Sequence, residues 1–277
     1  MKIGVIFCCY GTPEYISPCL ENWLKLKDKY NIKIAAVHGQ FKEYHTNGVE
    51  DNDYDTQIKL KDLNFNKQID YLYIQNDYNV FYPDSIKYNG YIFQTESEIR
   101  DKGLQYLLKE NVDYIWLLDL DEFYTEEQIK SIIEYIDDGC NQFYCWWSIP
   151  MKNYIFSGKE YIKGFSPPRI FKTKFNDFLN LNKFYFDNDI SYIRNPMNAN
   201  VSYKELPNKK IPDSKIAGGV SHKTWLHSNG EQKVNYQIKH FNGICSYKFN
   251  KEKGELEFDK NYYIKYNIPI PEVYEDE

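Results

Sequence analysis

Three patterns are missing from this chain of 277 residues, and each absence removes a class of function. There is no basic stripe: 34 Lys and Arg stand against 40 Asp and Glu, giving a net charge of −6. A protein that coats nucleic acid needs one face of clustered positive charge, so nucleic acid is not an expected partner. The six cysteines (Cys8, Cys9, Cys19, Cys140, Cys145 and Cys245) form neither the disulfide framework of a small domain nor a Cys-x-x-Cys zinc spacing. They read as reduced, mostly buried small hydrophobes. No apolar run reaches the length of a transmembrane helix. Met1 to Phe7 pass straight into a strand pattern too short for a secretory signal. The expected setting is therefore cytoplasmic. With no internal repeat and no low-complexity linker, residues 1–277 are expected to form one domain.

Aromatic residues, by contrast, are abundant, at 18% with 27 Tyr and 17 Phe. A coding bias toward Tyr, Asn, Lys and Ile accounts for that total. A sugar- or base-stacking surface is the other reading, and only positions decide between them.

The order of elements is more informative. Residues 3–9 are a continuous apolar run, the mark of a strand covered on both faces. It stops at Tyr10-Gly11-Thr12-Pro13, and residues 15–29 then carry Ile16, Leu20, Trp23 and Leu24 at helical spacing. A second buried strand over 32–37 stops at His38-Gly39. This β-α-β opening puts its loops at strand C-termini, where open α/β sheets bind ligands. Residues 40–89 are polar and read as loops with one further strand near Tyr71-Leu72-Tyr73-Ile74. Residues 96–110 predict a helix with Ile99, Leu104, Leu107 and Leu108 inward and Arg100 near its start. Thr125-Glu126-Glu127-Gln128 predicts a helix N-terminus, continued by Ile129, Ile132, Ile133 and Ile136. From residue 142 the pattern turns to β, with prolines marking irregular loops.

Between those helices lies the chain's most apolar strand pattern, Tyr114-Ile115-Trp116-Leu117-Leu118, ending on Asp119-Leu120-Asp121-Glu122-Phe123. Carboxylates spaced i, i+2 on an extended backbone share a side. At a strand's exposed end they are hard oxygen ligands suited to Mg²⁺ or Mn²⁺, and such a cation neutralises a diphosphate. A row of solvated acids capping the next helix is the bland alternative, and it weighs most for Glu122.

The same order, with Leu118-Asp119-Leu120-Asp121-Glu122-Phe123 preceded by Arg100-Asp101-Lys102-Gly103-Leu104, resembles GT-A nucleotide-sugar glycosyltransferases of the family-2-like kind over roughly residues 1–125. The resemblance implies an α/β fold of nucleotide-diphospho-sugar transferase type, a mixed sheet flanked by helices with an irregular C-terminal part. It implies a nucleotide-sugar-binding half at about 1–125 and an acceptor-binding half at about 126–277. Asp121 would ligate Mn²⁺ or Mg²⁺, and Asp119 would ligate it or face the ribose or sugar. A C-terminal histidine would complete the metal site; His222, in Ser221-His222-Lys223-Thr224-Trp225, fits best, with His227 and His240 as rivals. Tyr10, Gly11, Thr12 and His38 would approach the nucleoside, although family-2 members usually carry Asp where His38 stands. Arg100 would clamp base or phosphate, or else make an ordinary ion pair. The family's Glu-Asp base element is not recognisable. Asp187 and Asp189 are the preferred candidates for the base by position, beside Asp177, and retention of configuration stays open. Trp146 or Trp147 would stack on a sugar, and Arg169, in Pro168-Arg169-Ile170-Phe171-Lys172, resembles an Arg-x-Phe-Lys element of related transferases.

The expected activity is metal-dependent transfer of a sugar from a nucleoside-diphosphate donor, UDP-linked, to a glycan or lipid-linked saccharide. A nucleotidyltransferase also uses paired carboxylates, but it needs a Gly-rich basic loop, and residues 10–14 contain no Lys or Arg. A non-catalytic carbohydrate-binding protein and an enzyme that glycosylates a modified nucleic-acid base complete the alternatives.

Overall fold

Ile3, Val5, Phe7 and Cys9 of the first strand face one hydrophobic layer, while Ile6 and Cys8 face a second. Burial on both faces is why this segment carries no polar alternation. The computed structural model describes residues 1–39, 53–75, 94–136, 142–145, 147–150 and 168–173, with shorter pieces between 87 and 92 and from 155 onward, among them 208–212 and 220–222.

Strand β1 (Ile3–Cys9) leads through α1 (Pro13–Leu26) to β2 (Ile32–His38), as the apolar pattern predicts. Gly11 takes φ of 74° in the turn between them, a conformation that glycine adopts without a Cβ clash. Pro13 starts the helix where its missing N–H costs nothing. Helix α2 (Tyr54–Phe65) and strand β3 (Tyr71–Ile74) follow. The strand was expected; the helix corrects the loop reading of 40–89. Its buried Thr56 and Leu60 lie opposite exposed Tyr54, Ile58 and Phe65, so no single apolar stripe marks it. Helix α3 (Gln94–Lys109) leads into β4 (Tyr114–Asp119), then the two-residue β5 (Glu122–Phe123) and α4 (Glu126–Tyr135). Helix α4 opens on the predicted capping box: the Gln128 N–H donates to Thr125 Oγ1 at 3.1 Å, and Gln128 Oε1 accepts from the Thr125 N–H at 3.0 Å.

Later strands are β6 (Gln142–Tyr144), β7 (Trp147–Pro150), β8 (Tyr161–Lys163), β9 (Pro168–Lys172), β10 (Asn208–Lys210) and β11 (Val220–His222). The main sheet has seven strands in the order β10-β6-β9-β4-β1-β2-β3. β4, β1, β2 and β3 are parallel, and β9 runs antiparallel to both β4 and β6. Side chains of α1, α2 and α4 fill one face, and those of α3 fill the other. This is the mixed α/β sheet flanked by helices that the sequence predicts. Gly103 lets α3 lie close to it: a Cβ there would stand 3.1 Å from Val37 and 3.2 Å from Ile6. A second sheet, ordered β8-β7-β11-β5, joins C-terminal strands to the last two residues of the acidic motif.

Candidate active site

Three parallel strands end side by side. In their register Cys9 pairs with His38 and Cys8 pairs with Asp119, so the C-terminal ends of β1, β2 and β4 lie together at one edge of the sheet. The Leu120 N–H donates to the Cys8 carbonyl at 3.0 Å and ties the acidic turn to β1. The acidic motif therefore stands beside the Tyr10–Thr12 loop, at the edge where α/β sheets hold ligands.

Asp119 is the last residue of β4, and the chain turns at Leu120 and Asp121. Both Asp119 oxygens meet guanidinium groups. Arg100 Nη2 donates to Oδ1 at 2.7 Å and Arg169 Nη2 to Oδ2 at 2.9 Å. Arg169 also grips Glu122, with Nε donating to Oε1 at 2.8 Å and Nη2 lying 2.5 Å from the same oxygen. Arg100 directs Nε at Cys8 Sγ, 3.2 Å away. Both arginine side chains are buried, and Arg100 makes the ion pair that stood as the alternative to a clamp on base or phosphate.

Glu122 is fully buried. Burial pushes its carboxyl up to about 8; Asp119 and Asp121 add to the push, and Arg169 opposes it. For Arg169 itself, burial works against the charged form, but Glu122 and Asp119 outweigh it and raise the guanidinium above its ordinary value. Burial likewise pushes the Cys145 thiol up to about 12, with Glu122 adding to the effect. Below the motif, Trp23, Trp116 and Tyr124 pack edge to face with centroids 4.7, 5.6 and 5.2 Å apart, a rigid floor for the turn.

At the end of β2 the structure introduces a residue the sequence reading did not select. Asp53, just before α2, accepts from the Gly11 N–H at 2.6 Å and from His38 Nε2 at 2.9 Å, and Thr56 Oγ1 donates to its other oxygen. His38 is fully buried, its ring 6.0 Å from that of Tyr10. Its Nδ1 has no hydrogen-bond partner among the described residues. The predicted nucleoside residues Tyr10, Gly11, Thr12 and His38 are thus brought together, with an acid supplied from further along the chain. Nothing local in the sequence marks Asp53, apart from its being an acid one residue before a helix.

His222 ends β11, which pairs antiparallel with β5 so that His222 lies opposite Glu122 and Ser221 opposite Phe123. The backbone thereby carries the favoured C-terminal histidine to the acidic turn. Lys223, His227, His240, Asp177, Asp187, Asp189 and Trp146 lie outside the described residues.

Among the described residues no group of three or more His, Cys, Asp or Glu side chains is arranged to hold a metal ion. The donor chemistry fits a hard dication at Asp121, a half-buried carboxylate in the turn at the strand tip. It fits poorly at Asp119. Two unit charges 4 Å apart at an effective dielectric constant of 20 interact by about 4 kcal/mol, and a dication doubles that against each nearby guanidinium.

No protein-family model matches the chain, and no curated protein is similar to it. Among solved structures, a protein from Desulfovibrio desulfuricans G20, assigned by inference as a nucleotide-diphospho-sugar transferase, shows 10% identity and a TM-score of 0.35 over 87% of this chain and 96% of its own. Likeness at that level establishes neither fold nor activity.

Proposed function

We propose that this chain is a metal-dependent glycosyltransferase that moves a sugar from a nucleoside-diphosphate donor, UDP-linked, to a hydroxyl of a glycan or lipid-linked saccharide. One observation carries the reading: the Asp119–Glu122 turn, the Tyr10–Thr12 loop with His38, and the β11 end at His222 converge at the C-terminal edge of the parallel strands. A nucleotide on the β1 and β2 loops would place its diphosphate toward the β4 tip.

In this reading Asp121 and His222 hold Mn²⁺ or Mg²⁺, which when bound stabilises the charge on the departing diphosphate. Tyr10, Gly11, Thr12 and His38 hold the nucleoside. The bond from the sugar to the phosphate oxygen breaks as the acceptor oxygen bonds to the sugar carbon. Asp187 or Asp189, from the acceptor-binding half at 126–277, takes the acceptor's proton. One domain operating in the cytoplasm remains the reading of the whole chain. Among the described residues no helix is long and apolar enough to cross a membrane.

A nucleotidyltransferase would present backbone amides to a triphosphate after β1. Here the Gly11 amide already donates to Asp53, and an acid in that position repels phosphate. The deciding measurement is nucleoside-diphosphate release from a panel of nucleotide sugars with and without Mn²⁺. Manganese-dependent release from one donor is expected. No release from any, with turnover of a nucleoside triphosphate instead, would replace this reading by nucleotidyl transfer; no turnover of either kind would leave a carbohydrate-binding protein.

A further inference from the structure

We infer that Cys19 and Asn22 of helix α1 are positioning residues that pin the backbone of the acidic turn, so that α1 fixes how that turn stands relative to the Tyr10–Thr12 loop. The consequence for turnover rests on the transferase reading; the anchoring of the turn does not.

Strand β5 is only Glu122–Phe123, and it ends the second sheet among the described residues. On one side it has β11, with Ser221 opposite Phe123 and His222 opposite Glu122. So short a ladder is marginal by itself. On the other side lies α1, whose side chains take the place of a neighbouring strand. In an extended segment the carbonyls of residues two apart leave by the same edge. Those of Glu122 and Tyr124 both meet donors from α1: the Cys19 thiol at 3.2 Å and Asn22 Nδ2 at 2.9 Å. Between them the Tyr15 ring sits edge to face on Phe123, with centroids 5.4 Å apart. Tyr15, Cys19 and Asn22 recur at i, i+4 and i+7, the spacing of one helix face.

Cys19 reaches both ends of the turn. Its sulfur lies 3.8 Å from the Asp119 carbonyl as well as 3.2 Å from that of Glu122, so one buried side chain touches the residues at which the turn begins and closes. Glu122 is fully buried, and its carbonyl finds no water in place of the thiol. At its other end α1 starts on the first loop: Pro13 follows Thr12 directly, and the Tyr15 N–H donates to the Thr12 carbonyl at 3.0 Å. Leu20 and Trp23, fully buried, fasten the same helix to the core. One helix therefore carries the loop at its N-terminus and the acidic turn on its flank. In such a frame a displacement of about 1 Å can cost about 100-fold in rate.

The test pairs hydrogen–deuterium exchange of the ligand-free protein with the kinetics of nucleoside-diphosphate release. Asn22→Asp keeps the side chain's shape and sets an acceptor against the Tyr124 carbonyl. Cys19→Ala removes the thiol, and Cys19→Ser restores a donor. Peptides covering residues 119–124 should exchange several-fold faster in Asn22→Asp and Cys19→Ala, while those from β1 and β2 keep the parent rate; Cys19→Ser should return to it. In the same two variants kcat should fall about 10- to 100-fold. KM for the donor should stay within about threefold, because the loop that binds the nucleoside keeps its place. Cys19→Ser should recover kcat. Exchange that is unchanged over 119–124, or raised equally throughout the molecule, overturns the inference. So does faster exchange over 119–124 with an unchanged kcat. Should the parent release no nucleoside diphosphate from any nucleotide sugar, the transferase reading fails, and the exchange rates with their rescue by Cys19→Ser decide whether α1 pins the turn.

Discussion

His38, the last residue of β2, and Asp53, just before α2, meet at 2.9 Å, although 15 positions separate them in sequence. The imidazole Nε2–H donates to a carboxylate oxygen that also accepts from the Gly11 N–H at 2.6 Å. Asp53 thereby couples the loop after β1 to the end of β2. His38 is fully buried, so its Nε2–H finds no water when the acid is removed, whereas Gly11 is only half-buried.

Asp53→Ala should therefore destabilise the protein by about 1–3 kcal/mol, the usual cost of leaving a buried donor unpaired. In the transferase reading it should also raise KM for the donor more than it lowers kcat, because a loosened loop impairs binding first. Asp53→Asn keeps an acceptor and should recover part of both losses. Urea denaturation and donor titration give the two numbers; an Ala variant with unchanged KM would detach Asp53 from the nucleotide site.

Why β1, β4 and α4 are legible in the sequence while α2 and the arginine contacts are not follows from how local each signal is. Ile3 to Cys9 and Tyr114 to Leu118 are continuous apolar runs because both faces of the sheet are covered. The Thr125–Gln128 box is made by residues three apart. Helix α2 exposes Tyr54, Ile58 and Phe65, so its apolar residues point both ways and the period is erased. Arg169 meets Asp119 across 50 positions, a pairing that only the β9–β4 register creates. Arg100 was recognisable as belonging near the site; the direction of its side chain, toward an acid, depended on how closely Gly103 lets α3 approach.

Arg169→Met should be among the costlier single changes, at about 3–5 kcal/mol, because it leaves Glu122 buried without its partner. Adding Glu122→Leu removes the stranded buried carboxyl and should recover a measurable part of the loss. A double-mutant cycle in urea reads the coupling directly. Strict additivity of the two substitutions would show that the pair is not coupled.

Chelation separates fold from activity. Since Arg100 and Arg169 already hold Asp119 and Glu122 in place, the fold needs no cation at this turn. EDTA should stop release of the nucleoside diphosphate yet leave far-ultraviolet circular dichroism and the melting temperature of the ligand-free protein unchanged. Unfolding on chelation would make the metal structural instead.

Asp70, at the far end of the sheet from the candidate site, sets an acid limb of stability. Burial alone would raise its carboxyl, but the Ile34 N–H at 2.9 Å, Lys27 at 3.0 Å and Lys33 at 3.1 Å outweigh burial and hold it below the ordinary value of 3.8. With the folded-state value depressed, the unfolded chain binds more protons in that window, so stability rises with pH through it. The contribution is fully present above the ordinary carboxylate value and is lost as pH falls through the lower, folded value. Asp70→Asn lacks it at every pH. The melting temperatures of parent and variant should therefore be well separated near about pH 6 and converge toward about pH 3. A gap that stays constant over that range would trace the difference to the hydrogen bond with Ile34 rather than to the charge on Asp70.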